Sequence, residues 1–262
     1  GVPVSAEQYL GNDTASPFHS VSYTFDSHST PYGKLDPRLT GTVEYDALTG
    51  VTATTTYSYD TYGYPLSVST VKTGTTSGQS INTTDVTSTS YAHSNNTSRY
   101  ILGSVAAQTV THDRDRDGVC GMGERTVLSR DSLYRPVMRQ TYTVRNAGSS
   151  TESFHLVSTD RWTYDVHGNV IREESAPAGS EVFVGKSYSY DASGRHMLSA
   201  TDEIGLSTSY SNFDAFGIPA TVTDHKGQQT HVFRDGWGRV SRTVHPDGTI
   251  DSLARSWGGT GV

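Results

Sequence analysis

Apolar and polar side chains alternate with period two in many short stretches of this chain. Thr56-Tyr57-Ser58-Tyr59, Thr141-Tyr142-Thr143-Val144 and Ser187-Tyr188-Ser189-Tyr190 are clear instances. Alternation of this kind puts successive side chains on opposite faces of an extended strand. An apolar spacing of 3.6 residues, the mark of an amphipathic helix, is nowhere sustained. The pattern predicts an all-β chain.

What divides the alternating stretches is equally regular. Gly194, Gly205, Gly217, Gly227, Gly238 and Gly248 follow one another at intervals of 11, 12, 10, 11 and 10 residues. Asp191, Asp202, Asp214, Asp224 and Asp235 each stand three positions before one of these glycines. Looser copies are Asp60 with Gly63, Asp165 with Gly168, and a degenerate Asp46 to Gly50. An aspartate opening a type I turn accepts nearby backbone N–H groups, and a glycine closing it takes the positive-φ position at little steric cost. About seven residues remain between turns, roughly 23 Å of strand at 3.3 Å per residue. The repeating unit is thus a β-hairpin of roughly 21–23 residues, in tandem. The tyrosine before each aspartate is expected on one face, packed against its counterpart in the next hairpin.

Composition narrows the functional classes. A formal net charge of −7 argues against a nucleic-acid binder. No apolar run approaches membrane-spanning length, and no basic-plus-apolar signal segment opens the chain at Gly1. The single Cys120 excludes an internal disulfide framework.

Tyr-Asp-x-x-Gly followed by Arg or Asn resembles the YD, or RHS, repeat family. The motif is carried by Tyr59-Asp60-Gly63, Tyr164-Asp165-Gly168-Asn169, Tyr190-Asp191-Gly194-Arg195, Phe213-Asp214-Gly217 and Asp235-Gly238-Arg239. TTYSYDTYGYPLSVSTV and YILGSVAAQTVTHD are similar to the stretch leading into such repeats in bacterial insecticidal toxin complexes. The resemblance covers roughly residues 40–250 and leaves residues 1–40 as an unassigned lead-in to a repeat region at 41–262. It implies a long twisted antiparallel ribbon spiralling into a shell around a toxic polypeptide, as in toxin-complex and polymorphic-toxin proteins. The aspartate-rich motif at which many such shells cut off their cargo does not occur in this sequence, so no autoproteolytic role is carried over. The chain is expected to be a section of a larger protein, with open sheet edges at both ends.

The sharpest chemical motif is HDRDRDGVCGMGERT, residues 112–126. Asp113, Asp115, Asp117, Gly118 and Glu124 match the D-x-D-x-D-G-x5-E pattern of a calcium loop. Three alternating carboxylates, the backbone carbonyl of Val119 and a bidentate Glu124 would supply the oxygen shell that Ca2+ requires. The competing reading is a solvated turn in which Arg114 and Arg116 pair with the aspartates. Strand-like flanks on both sides place the loop at the tip of a hairpin spanning 111–127, where Ca2+ would act as a structural staple. Such a staple suits millimolar extracellular calcium and an exported protein.

Other signals are weaker. GSEVFVGKS (179–187) has five residues between Gly179 and Gly185 where a phosphate-binding loop has four. Cys120 lies in an acidic loop, which disfavours a reactive thiolate. The ten histidines show no tight ligand spacing, although His225 and His231 stand close enough in sequence to converge across a hairpin. No G-x-S-x-G elbow occurs, and no acid/base carboxylate pair stands out from the turn aspartates. Trp162, Trp237 and Trp257 leave open a sugar-binding face, while sequons at Asn12, Asn82, Asn95 and Asn96 are coincidental in a bacterial protein. The sequence therefore points to a non-catalytic, exported section of a toxin-enclosing shell. Its partners would be an encapsulated polypeptide, neighbouring repeats or other toxin-complex subunits. A surface adhesion or carbohydrate-binding module is the alternative.

Overall fold

The computed structural model describes residues 3–9, 16–29, 35–74, 85–113 and 121–254. These hold eighteen β-strands, one 3-10 turn at Thr97–Arg99 and, among the described residues, no α-helix. The chain divides into two compact units, Gly1–Thr159 and Asp160–Val262, and the division falls within a single strand.

In the first unit the strands are β1 (Ser5–Gln8), β2 (His19–Ser29), β3 (Leu35–Asp46), β4 (Val51–Tyr59) and β5 (Pro65–Gly74). They continue with β6 (Asp85–His93), β7 (Val105–Asp113), β8 (Met122–Arg130), β9 (Pro136–Arg145) and the start of β10 (Ser153–Tyr164). From β1 to β9 each strand pairs antiparallel with the next, as in Thr55 opposite Thr70 and Thr70 opposite Thr87. Residues 1–40, which carry no Asp-x-x-Gly turn, contribute β1, β2 and the beginning of β3.

The second unit takes the end of β10 and continues through β11 (Val170–Pro177), β12 (Val184–Tyr190), β13 (Met197–Thr201) and β14 (Ser207–Phe213). It ends with β15 (Pro219–Thr223), β16 (Gln229–Arg234), β17 (Val240–Val244) and β18 (Ile250–Ser252). From β11 onward each strand again pairs antiparallel with its successor. The all-β array of tandem hairpins expected from the sequence is what the chain forms.

Neither unit is built around a thick apolar core. Among the described residues the buried apolar side chains are Ala107 and Val144 in the first unit and Ala176 in the second. Cohesion comes from the ladder and from cross-strand pairs, many of them hydroxyl to hydroxyl. Ser58–Ser67 (2.6 Å), Thr55–Thr70 (2.9 Å) and Ser69–Ser88 (3.1 Å) join strands in the first unit, and Ser189–Ser199 (2.6 Å) in the second. Each such pair contributes about 0.2–1 kcal/mol, so the sheet is stable through number rather than through any single contact. This accounts for the serine- and threonine-rich composition: side chains on a half-covered sheet need partners on the sheet itself.

The segment that resembles a phosphate loop is an ordinary hairpin. Gly179 sits in the turn after β11, and Gly185 and Lys186 lie in β12. There Gly185 pairs with Glu174, and Lys186 meets Glu203 at 3.6 Å.

Candidate functional site

The recurring chemistry of this chain is in its turns. In each Asp-x-x-Gly turn among the described residues the glycine N–H donates to the aspartate carbonyl, and the aspartate N–H donates to a carbonyl just past the glycine. The aspartate Oδ1 then accepts two further backbone N–H groups, from residues i+2 and i+4 in most of these turns and from Arg195 and His196 (i+4 and i+5) at Asp191. Asp60 accepts from Tyr62 and Tyr64, Asp165 from His167 and Asn169, Asp202 from Ile204 and Leu206, and Asp235 from Trp237 and Arg239, all at 2.9–3.0 Å. Gly63, Gly168, Gly194, Gly205, Gly217, Gly227, Gly238 and Gly248 all have positive φ. One oxygen of each of these carboxylates is thus engaged by the backbone of its own turn, while the second oxygens of Asp60 and Asp214 are buried without a hydrogen bond, Asp60 Oδ2 at 3.4 Å from His93 Nδ1 and Asp214 Oδ2 at 3.5 Å from Arg234.

The fifth position of the motif now has a physical reason. Arg135 and Arg239 reach back to the second oxygen of Asp131 and Asp235, at 2.7–2.9 Å, and Asn169 does the same to Asp165 at 3.0 Å. In the turn at Asp191, which is one residue longer, His196 Nδ1 fills that role at 2.9 Å. The side-chain bond from Arg239 is the largest influence holding the Asp235 carboxyl below its ordinary range. His196 does the same for Asp191, more strongly, and the backbone N–H of Gln228 for Asp224. For Asp131 and Asp165, burial pushes upward but is outweighed by the bonds from Arg135 and Asn169 and from the backbone.

The residue before Asp60, Asp131, Asp214 and Asp235 reaches the preceding strand, and its partner there is not a tyrosine. Tyr59 donates its hydroxyl to the Leu39 carbonyl (2.7 Å), with the Arg38 guanidinium over its ring at 5.9 Å. Phe213 packs against His196 with ring centroids 4.5 Å apart and the rings tilted at 36°. Arg130 and Arg234, in the same position, donate to the carbonyls of Val105 (2.7 Å) and Pro219 (3.2 Å). For Phe213, Arg130 and Arg234 the contact lands just past the previous turn on the same edge. The equivalent tyrosine lies one strand too far for its ring to be the partner, while the backbone carbonyls and basic groups past the turn are within reach.

Successive turns on that edge also interlock through their glycines. In the second unit a Cβ placed on Gly194 would stand 2.5 Å from the His167 ring. On Gly217 it would stand 3.2 Å from His196, and on Gly238 3.2 Å from Phe216. In the first unit Arg38 occupies the same place over Gly63, and Tyr64 over Gly103. The opposite edge of the second unit differs: Gly179, Gly205, Gly227 and Gly248 meet nothing within 4 Å. One row of turns is therefore glycine for lack of space as well as for φ, the other for φ alone.

Of the predicted calcium ligands, Asp113 is the last residue of β7, opposite Val86, and Glu124 is in β8, opposite Val110. Asp115, Asp117, Val119 and Cys120 lie outside the described residues. Because His112 pairs with Met122, strand alternation sends Asp113 and Glu124 to opposite faces of the hairpin. No group of three or more metal-ligating side chains occurs among the described residues. His225 is in the turn after β15, while His231 Nδ1 is engaged with the buried Thr221 hydroxyl at 3.1 Å. Of the tryptophans, Trp162 is in β10, Trp237 is 81% exposed at a turn tip and Trp257 lies outside the described residues.

A fully formed turn that the glycine spacing does not reveal is Asp131-Ser132-Leu133-Tyr134, where Tyr134 takes the left-handed position at φ 65°. Arg135 in the fifth position is the signal that marks it.

No protein-family model matches this sequence, and no curated protein matches it. Among solved structures, the chain is similar to the crystal structure of TcdB2-TccC3, with a TM-score of 0.67 and 12% sequence identity. The match covers 96% of this chain and 17% of that one, so this chain spans about a sixth of its length. The likeness is one of fold. No helix among the described residues is long and apolar enough to cross a membrane.

Proposed function

We propose that this chain is a non-catalytic wall section of an exported YD/RHS-repeat shell that encloses or delivers a toxic polypeptide. The observation that carries this reading is a continuous run of interlocked hairpins with almost no buried apolar core in either unit. A protein that folds around its own ligand site concentrates its apolar side chains; a wall spreads its stability along a ladder. The use of one oxygen of each described turn aspartate to hold its own turn supports a scaffold role for these carboxylates. The fold likeness to TcdB2-TccC3 supports the same reading; the proposed partners are the enclosed polypeptide, neighbouring repeats of a longer chain and other toxin-complex subunits. In the shell that this section helps to build, an unfolded cargo is expected to survive added protease until the shell is opened. Digestion at the rate of free cargo would overturn the proposal. Exposed Trp237 keeps an adhesion or carbohydrate-binding module as the second reading. Specific glycan-array binding tighter than about 1 mM would favour it.

The proposal includes one structural Ca2+ between β7 and β8. Since Asp113 and Glu124 leave opposite faces of the hairpin, the ion would sit beyond the strand ends. Asp113, Asp115, Asp117 and the Val119 carbonyl would be its main ligands, and Glu124 the outlying one. Calcium at a hundredfold excess over its dissociation constant is expected to add about 2.7 kcal/mol to unfolding. Chelator or Asp115→Ala should abolish that gain and Glu124→Gln should reduce it. Identical melting curves with calcium and with chelator would remove the ion from the account.

A further inference from the structure

Arg135, Asn169, His196 and Arg239 each fill the second carboxylate oxygen of the aspartate in their own turn. Asp60 and Asp214 have Tyr64 and Ile218 in the fifth position instead, and their second oxygens are buried without a hydrogen bond. In both cases a basic side chain standing just before a later turn comes up to that oxygen. In the second unit it is Arg234, before Asp235, with Nη1 3.5 Å from Asp214 Oδ2. In the first unit it is His93, before Ser94, whose N–H closes its own turn on the Ser104 carbonyl. His93 Nδ1 is 3.4 Å from Asp60 Oδ2 and also lacks a hydrogen bond, and its side chain is only 5% exposed. Tyr91 stacks on the imidazole and Tyr64 meets it edge-on, with Gly103 against the Tyr64 ring. An arginine in this place is charged at every accessible pH, whereas a histidine changes charge near neutrality.

We infer that Asp60 and His93 form a protonation-dependent catch between two turns of the first unit: a protonated imidazole donates to the waiting carboxylate oxygen and holds the turns together, and a neutral one lets them part. The Asp60 carboxyl is the fixed member. Burial pushes it upward but is outweighed by the N–H groups of Tyr64 and Tyr62 and by the charge of His93, which hold it below its ordinary range. The other groups around the pair are already engaged. Arg38, from β3, donates to the Asp60 carbonyl at 3.2 Å, lies over the Tyr59 ring of β4, and gives its own N–H to Asp26 of β2. Arg130, from β8, donates to the carbonyl of Val105, the residue opposite His93 in β7. A histidine that gains an anionic partner on folding contributes stability that is complete below its unfolded value, about 6.5, and is lost as pH rises through its folded value. One pair among many hydrogen-bonded turns is read locally rather than through the unfolding midpoint of the whole chain.

The test uses the full 262-residue protein with isotope-labelled histidine, and His93→Gln identifies the His93 imidazole signal by its loss. That signal is followed by NMR from about pH 9 to about pH 5 in the wild type and in Asp60→Asn, which keeps an oxygen for the Tyr62 and Tyr64 N–H groups. The His93 midpoint is expected to fall by at least one unit in Asp60→Asn, with the other histidines unmoved. Hydrogen exchange at the Tyr64 and Ser94 amides, corrected for the intrinsic effect of pH, supplies a second readout. Protection should rise about tenfold from pH 8.5 to pH 6 in the wild type, the equivalent of one unit of coupling, and should be high and independent of pH in His93→Arg. An equal His93 midpoint with and without the Asp60 charge overturns the inference. So does a pH-dependent rise in protection that survives in His93→Arg, a readout that stands even if Asp60→Asn fails to fold. The catch does not rest on the wall reading, which the cargo-protection experiment tests separately.

Discussion

Gly194→Ala is expected to destabilise the second unit by several kcal/mol, and Gly205→Ala by only about 1–2 kcal/mol. The smaller figure is the cost of holding a residue with a Cβ in the left-handed region, which both positions require. Gly194 carries a second cost. Its added methyl would stand 2.5 Å from Cγ and Cδ2 of His167 and 2.7 Å from the His167 Cβ, too close to the backbone for a simple swing of the ring to relieve. The turn would have to move away from its neighbour, loosening the Asn169 side-chain bond to the Gly194 carbonyl (2.8 Å). Gly205 meets nothing within 4 Å, so its methyl points into open space. Urea unfolding of both variants checks the contrast. Equal losses would show that the turns do not interlock.

Acid should unfold this protein by way of its turns. The carboxyls of Asp131, Asp165, Asp191, Asp224, Asp235 and Asp247 are all held below their ordinary range by hydrogen bonds within their turns. A carboxyl whose folded pKa is depressed contributes stability that is complete above the unfolded value, about 3.9 for aspartate, and is lost as pH falls through the folded value. The urea midpoint is therefore expected to change little between pH 7 and about 5 and to fall steeply below about pH 4, with many small losses adding. Asp235→Asn keeps an oxygen for the Trp237 and Arg239 N–H groups but removes the charge facing Arg239. It should lower the midpoint at pH 7 and flatten the acid slope. A midpoint that rises on acidification would contradict the role given to these carboxylates.

Much of the fold was legible because each turn states its own chemistry. An aspartate and a glycine three residues apart fix both a hydrogen-bond acceptor and a positive φ, so the spacing alone predicts where strands end. Where another residue takes the left-handed position, as Tyr134 does, the spacing is silent. Residues 1–40 lacked that punctuation, although Val21-Ser22-Tyr23-Thr24-Phe25 alternates as a strand should and lies in β2. The difference between the two turn edges was hidden for another reason. It depends on which side chains meet across separations of more than twenty residues, as His167 and Gly194 do, and local periodicity carries no such information. The calcium motif was legible as five matching residue types, but the face on which Glu124 leaves β8 is set by register, which the motif does not encode.

The central claim is that these hairpins lie side by side in the stated register, and a pair of introduced cysteines tests it most directly. Ser189 and Ser199 face each other across β12 and β13 with hydroxyl oxygens 2.6 Å apart, while Ala200 is directed to the other face. In a Cys120→Ser background, Ser189→Cys with Ser199→Cys should close a disulfide under mild oxidation, and Ser189→Cys with Ala200→Cys should stay reduced. If the second pair closes and the first does not, the strands are out of the register described and the interlocked ribbon cannot stand.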